Sequence, residues 1–244
     1  MMYEFDHLVI MARDQIDWVS GKFDALGFHL TNVSKHNLGS TNRLIILDDS
    51  YIEILGWELG TTPQRKEIAE LPLGLDALVF RTSDANACYK SLCDLGFSPN
   101  SVQDLSREVS IHGEVKLASF KTVRFSKQPI DGLRIYFCEH LTPDYVWIQD
   151  DMRHPNKLEH LREITLASSK PLETYSSLKM MLQIELALNP DDALTAKGYS
   201  IDLGNCLLKI TEGKAAAAPY IKQCFVDSKF SDNSLILDQT LLQV

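Results

Sequence analysis

Short apolar runs and amphipathic stretches follow one another along this chain in an order that repeats. Residues 5–14 read FDHLVIMARD and residues 75–84 read LDALVFRTSD; each has an Asp ahead of a short apolar run and a second Asp closing it. Each is followed by an amphipathic segment that ends on the same tripeptide, Leu26-Gly27-Phe28 and Leu95-Gly96-Phe97. A glycine just past a periodic run lets the chain reverse in the left-handed conformation, so both segments are predicted as helices, with Asp14 and Asp84 as N-caps. β-rich pieces come next, 44–47 and 51–55 in the first unit and 115–126 and 133–138 in the second, with turns at Asp48-Asp49-Ser50 and Asp131-Gly132. Each unit reads β-α-β-β-β, with 57–72 as a linker. A weaker third copy starts near 162, with a helix at about 171–186 and strands near 198–203 and 206–211. The pieces 221–226 and 234–237 are read as a truncated fourth unit that completes its sheet. The predicted class is α+β, with 1–150 forming a paired-unit domain and 151–244 the third unit and its truncated companion.

Alternate residues of a strand share a face. His7 falls with Val9 and Met11, opposite Leu8 and Ile10; Glu53 falls with Tyr51 and Leu55, opposite Ile52 and Ile54. An imidazole and a carboxylate each interrupt an apolar face. Burying them is costly unless a partner, a proton or a metal satisfies them, and a hydrogen-bonded pair that only orders the core would do so as well as a site. Between the two strands lies the loop His36-Asn37-Leu38-Gly39-Ser40-Thr41-Asn42-Arg43, in which Gly39 suggests a positive φ or a close approach. Asn42 and Arg43 are read as a clamp for an anionic or carbonyl group, since a guanidinium presents a planar fork; a turn Asn beside a surface-paired Arg is the plainer alternative.

Paired β-α-β-β-β units opened by DHLVI and closed by YIEIL resemble the vicinal oxygen chelate superfamily, which includes glyoxalase I, extradiol dioxygenases and antibiotic-binding resistance proteins. The His36–Arg43 segment, ahead of RLIILDDSYIEIL, and the stretch CEHLTPDYVW followed by His154-Pro155-Asn156 are similar to its glyoxalase-like subgroup, whose H-x-x-G-T-x-N-R pattern is displaced here by one residue. The resemblance covers 4–167 best. It implies curved mixed sheets that close around a cavity, in which a divalent metal (iron, zinc, manganese or nickel) often sits on inward His and Glu. It places His7 and Glu53 at the first unit's ligand positions and Ala77 and Tyr136 at the second's, so half of a four-ligand site is missing. His140, four residues beyond Tyr136, is the candidate third ligand; otherwise His7, Glu53 and His140 form a metal-free acid–base cluster. His36, Asn42, Arg43 and Tyr136 are the candidate substrate-binding residues. The implied function is binding of a small carbonyl- or hydroxyl-bearing molecule, with lyase, isomerase or dioxygenase chemistry. The alternative is non-catalytic sequestration, which the empty second-unit positions favour.

Composition narrows the field. Thirty-three acidic against 24 basic residues give a net charge of −9 with no basic block, a poor match to nucleic acid. No apolar run approaches the roughly 20 residues of a membrane helix, and the first residues lack a signal-peptide pattern. Five cysteines without CxxC spacing read as small buried thiols in a reducing compartment, so the expected location is cytoplasmic. The expected partner is a small-molecule ligand; a homodimer is compatible with a cavity built from repeated units.

Overall fold

A computed structural model describes residues 3–63, 66–184, 193–194, 198–214, 218–229 and 232–242. In chain order the first unit comprises β1 (Glu4–Arg13), α1 (Ile16–Ala25), β2 (Ser34–Lys35), β3 (Thr41–Ile46) and β4 (Tyr51–Gly56). A short helix, α2 (Lys66–Ala69), leads to the second unit: β5 (Gly74–Arg81), α3 (Ala85–Asp94), β6 (Gln103–Ile111), β7 (Glu114–Val123) and β8 (Arg134–His140). The third comprises β9 (His160–Ser168), α4 (Pro171–Met181), β10 (Ala193–Leu194), β11 (Gly198–Asp202) and β12 (Leu207–Glu212), followed by β13 (Tyr220–Asp227) and β14 (Ser234–Asp238). The C-terminal end of the predicted helix at 171–186 lies outside the described residues.

The first two units form one eight-stranded sheet in the order β2-β3-β4-β1-β5-β8-β7-β6. Within each unit the last long strand runs parallel to the first, and β1 and β5 meet antiparallel at the centre. The sheet curves until its two edges touch. His36 and Arg107 form an isolated bridge, Asn37 N donates to Ser106 O (3.0 Å), and Ser34 Oγ donates to Glu108 O (3.0 Å). Closure of this kind leaves no long unpaired edge between the units. The third unit repeats the pattern in a second sheet, β10-β11-β12-β9-β13-β14. There β13 takes the place of β5 against β9, but its other neighbour, β14, is antiparallel where β8 is parallel to β5. The repeated β-α-β-β-β organisation and the curved mixed sheets are therefore both present.

The period-2 pattern separates two cores. Leu8, Ile10, Ile52, Ile54, Leu78 and Phe137 face outward into a core shared with the helices and the second sheet. Val9, Met11, Leu44, Tyr51, Val79 and Phe120 face into the hollow of the barrel. The register of the central strand β1 shifts at Phe5/His7, at Val9/Ile10 and at Met11/Arg13, and the first of these bears on the site. Phe5 pairs with Phe80 and His7 with Val79, so Asp6 is an extra residue in β1. Such a bulge breaks the alternation, and Asp6 is fully buried beside His7 instead of facing the opposite side.

At the helix starts, Asp84 Oδ1 accepts from the backbone N–H groups of Asn86 and Ala87, a regular N-cap. Asp14 is not a cap: Arg13 takes a φ of 56° and α1 begins after Gln15, whose side chain makes no cap bond. Cys88, Cys138, Cys206 and Cys224 are buried free thiols, and Cys93 is exposed. Among the described residues no helix is long and apolar enough to cross a membrane.

Candidate functional site

The hollow of the barrel is lined on one side by β1, β3 and β4 and on the other by β6, β7 and β8. Its volume is about 20 Å³, room for about one water molecule. It shares Tyr136 and Arg124 as a wall with a larger cavity of about 640 Å³, which reaches the C-terminal unit at Tyr220 and Gln239.

His7 is fixed from two directions. Its Nδ1 lies 2.7 Å from Asp6 Oδ2, and its ring stacks on Tyr51 with centroids 4.3 Å apart. The Nε2 edge faces the hollow, 3.2 Å from Tyr136 Oη and 3.7 Å from Glu53 Oε2. With Nδ1–H donated to the Asp6 carboxylate, Nε2 is left as the acceptor for the Tyr136 hydroxyl. Glu53 accepts from Asn42 Nδ2 at 2.8 Å and lies 3.8 Å from His36 Nε2. Burial pushes the Glu53 carboxyl up, but His36, His7 and the Asn42 amide together outweigh it and hold the group below the ordinary range. Burial drives the Tyr136 phenol far up, with Glu53 adding to the shift, so it remains a hydrogen-bond donor. The turn from His36 to Ser40, with Gly39 at φ 83°, brings the His36 Nδ1 edge to Ser40 Oγ (2.9 Å) and its Nε2 edge toward Glu53.

Of the residues singled out from sequence, His7, His36, Asn42, Glu53 and Tyr136 thus line one hollow. His140 and Arg43 stand elsewhere. The His140 ring places Nε2 2.9 and 3.0 Å from the two Asp6 oxygens, behind His7, and packs at a tilt against Trp147. It does not lie around the same point as His7 Nε2 and Glu53. Arg43 follows Asn42 in a strand and so points outward, its Nε donating to Thr31 O; the pair cannot act as one clamp.

Three residues of the region were not indicated by sequence. Asp6 joins His7, His140 and Arg81, whose Nε donates to Asp6 Oδ1 at 2.8 Å. Burial raises the Asp6 carboxyl, but the two histidines hold it well below the usual carboxylate range. Arg81 stacks on Trp147 with its guanidinium carbon 4.8 Å from the ring centroid. Arg107 enters the hollow from β6. The signal for Asp6 was present as an Asp directly before the His, but only the bulge turns both to the same side.

The sheet register fixes which positions correspond between units. Val9 pairs with Glu53 in the first unit and Val79 with Tyr136 in the second, so Ala77 is equivalent to His7 and Tyr136 to Glu53. Ala77 has no donor atom, the Tyr136 phenol is held protonated, and a guanidinium lines the same hollow. The residues present do not fit a four-ligand divalent ion. Among the described residues Asp6, Cys138 and His140 bring three metal-type donor atoms within 4.8 Å of one another. The Asp6 carboxylate there is already taken by Arg81, His7 and His140, and the adjacent guanidinium opposes a cation.

A family profile described as a glyoxalase-like domain matches residues 5–182. No curated protein matches the chain. Solved structures do. A hypothetical protein from Staphylococcus aureus superposes with a TM-score of 0.68 at 15% identity, covering 88% of each chain. A mutant of 4-hydroxymandelate synthase from Streptomyces coelicolor gives 0.50 at 12% identity, covering 91% of this chain and 69% of that one. A xylose isomerase-like TIM barrel/4-hydroxyphenylpyruvate dioxygenase fusion protein gives 0.55 at 15% identity, covering 92% of this chain but 36% of that one. At such identities the likeness is one of fold.

Proposed function

We propose, since this chain belongs to the glyoxalase-like domain family of the vicinal oxygen chelate superfamily, that its barrel hollow binds a small carbonyl- or hydroxyl-bearing molecule and that His7 is the acid–base group acting on it. The observation that carries this is the Asp6–His7 pair, with Nδ1 tied at 2.7 Å and Nε2 presented to Tyr136 and Glu53 inside the hollow. A carboxylate on one ring nitrogen fixes the tautomer and supports the positive charge that appears when the other nitrogen takes a proton. The reaction class this suits is proton abstraction next to a carbonyl. His7 Nε2 removes a proton from the carbon beside the C=O, the C–H electron pair becomes a C=C bond, and the carbonyl π pair moves onto oxygen. The Tyr136 hydroxyl donates to that oxygen as charge develops. Ionised Glu53 accepts from a neighbouring substrate hydroxyl. Return of the proton from His7 to the same carbon closes an exchange; return to the former carbonyl carbon closes an isomerisation. In the isomerisation Tyr136 gives its proton to the first oxygen, Glu53 takes the proton of the neighbouring hydroxyl as that becomes the new C=O, and the two then exchange the proton back. No step here is routed through a metal.

The test follows C–H exchange by proton NMR in deuterium oxide with hydroxyacetone, dihydroxyacetone and pyruvate. Catalysed exchange is expected, falling by about 10²–10⁴-fold in His7→Asn, with a smaller loss in Glu53→Gln. A second reading, binding without turnover, is favoured by Ala77 standing where the first unit has His7. Binding of these compounds with exchange no faster than in buffer would select it and remove the acid–base role.

A further inference from the structure

We propose that Arg107 is the anion receptor of the hollow and that the ligand is a small monocarboxylate, its carbonyl or hydroxyl oxygen turned toward His7 and Tyr136. The second half of this statement rests on the acid–base reading of His7; the first does not.

Arg107 sits in the middle of β6 with Leu105 and Val109 on the same inward face, and only 4% of its surface is exposed. Burial pulls its guanidinium down from its usual value, opposed by Tyr51, Glu53 and Asp151 nearby, and Asp151 is itself paired with His29 at 3.1 Å. Two half-buried arginines of the barrel are matched by acids: Arg81 donates to Asp6 at 2.8 Å, and Arg134 Nε donates to Asp76 at 2.8 Å. Arg107 differs. Among the described residues it forms no ion pair, and its hydrogen bond runs from Nη1 to Ser34 Oγ at a long 3.3 Å. A guanidinium has five N–H donors in a fixed fork, so most of its donor capacity is directed at no protein acceptor. A buried cation in this state is costly unless an anion answers it.

The geometry says where that anion belongs. Arg107 lines the hollow together with His7, Glu53 and Tyr136. Glu53 is the one carboxylate in that lining, and it is already engaged by Asn42 with His7 and His36 beside it. The Arg107 charge is therefore left to be met, and a monocarboxylate supplies one negative charge; the planar fork matches its two oxygens. The hollow has room for about one water molecule, so the head of the ligand takes that water's place as the shared wall at Tyr136 and Arg124 gives way, and the rest of the ligand extends into the cavity of about 640 Å³ beyond. Arg107 is also part of the seam that closes the barrel, so substitution alone is an unsafe test.

The experiment therefore begins with the unaltered chain. Pyruvate and 2,3-butanedione have nearly the same size and differ in the carboxylate; each is titrated by calorimetry and thermal shift at constant ionic strength. A ligand that binds the folded state alone raises its melting temperature. Pyruvate is expected to bind on the order of tenfold or more tightly than the diketone, the ratio set by charge-assisted hydrogen bonds. Arg107→Gln should erase that preference, and Arg107→Lys should keep part of it. Equal binding of acid and diketone, an acid preference that survives Arg107→Gln, or no binding of pyruvate at millimolar concentration would each overturn the proposal. The two readings separate cleanly. Arg107-dependent pyruvate binding without C–H exchange removes the acid–base role and leaves the receptor. His7-dependent exchange on hydroxyacetone without an acid preference does the reverse.

Discussion

Asp6→Asn is the sharpest probe of how the site is held. The Asp6 carboxylate is fully buried and takes His7 Nδ1 at 2.7 Å, Arg81 Nε at 2.8 Å and His140 Nε2 at 2.9 Å. Asparagine keeps the shape but offers one acceptor oxygen and one donor amide to three groups that all point N–H edges inward. Removing one partner of a buried ion pair costs about 3–5 kcal/mol, and for a chain of this length that is roughly 6–20 °C in Tm. The Arg81 side chain is 29% exposed, so water can reach it and the lower half of that range is expected. The pH dependence has a definite sign. The folded carboxyl titrates well below its usual 3.8, so its contribution is complete above that value and is lost as pH falls toward the folded pKa. The gap between wild type and Asp6→Asn should therefore be constant from neutral pH to about 4.5 and shrink below it. Urea denaturation followed by circular dichroism at a series of pH values measures it. A gap below about 0.5 kcal/mol at neutral pH, or one that stays constant into acid, would refute the account of Asp6 as the charged hub beneath His7.

Two further outcomes bear on the fold. His154 Nε2–H donates to Ile46 O (2.8 Å) while its Nδ1 accepts from His29 N (3.0 Å), so protonation would set two N–H groups against each other. Burial, reinforced by His29, holds its pKa below 6.5; stability should fall as pH drops through that value, and His154→Gln should flatten the slope in pH-dependent denaturation, whereas an unchanged slope would contradict it. The Gln239 amide bonds both the N–H and the C=O of Leu75 at 3.2 Å, tying the C-terminal unit to β5. Gln239→Ala should cost about 1–2 kcal/mol in denaturant titrations and speed hydrogen exchange at Leu75; unaltered exchange there would show that the tie carries no load.

The repeat was readable because its signals are local. Leu-Gly-Phe after each helix, the apolar runs at 8–11 and 78–80, and the turns ahead of β4 and β8 mark both units without reference to long-range contacts. The strand β6 gave no such signal: its inward positions are Leu105, Arg107 and Val109, and a charged residue in the middle of the apolar face hides the alternation. The same substitution concealed the residue with the most to say about the ligand. His7, Glu53 and Tyr136 could be placed from strand parity and repeat register, since both depend only on counting; Asn42 was read as a loop residue, whereas it lies inside β3. Asp6, Arg43 and His140 could not be placed together with them. Parity assigns Arg43 to the outer face, yet loop proximity to Asn42 suggested a clamp; and a one-residue bulge, invisible in sequence, moves Asp6 inward and makes it, not Glu53, the partner of His140.

The register also shows why three copies of one unit do not make three sites. The positions of His7 and Glu53 correspond to Ala77 and Tyr136 in the second unit and, since Thr165 pairs with Lys209 as Val9 does with Glu53, to Glu163 and Lys209 in the third. In the third unit that pair is an ion pair between side chains 24% and 33% exposed, which water screens and which encloses nothing. The reason is topological. There β13 pairs with an antiparallel hairpin partner instead of a parallel strand followed by two more, so no second half-barrel covers the face. In the first sheet the second half is present: His7 and Tyr136 both pair with Val79, and Ala77, the next inward position of β5, adds only a methyl group to the hollow beside them. A polar pair becomes a chemical centre in this fold when the opposing half both shields it from water and gives up its own side chain at the equivalent position. Filling the hollow at that position supplies the check: Ala77→Leu should displace Tyr136 from His7, abolish C–H exchange and leave the Arg81–Asp6–His140 cluster intact, and full activity in that variant would sink the argument.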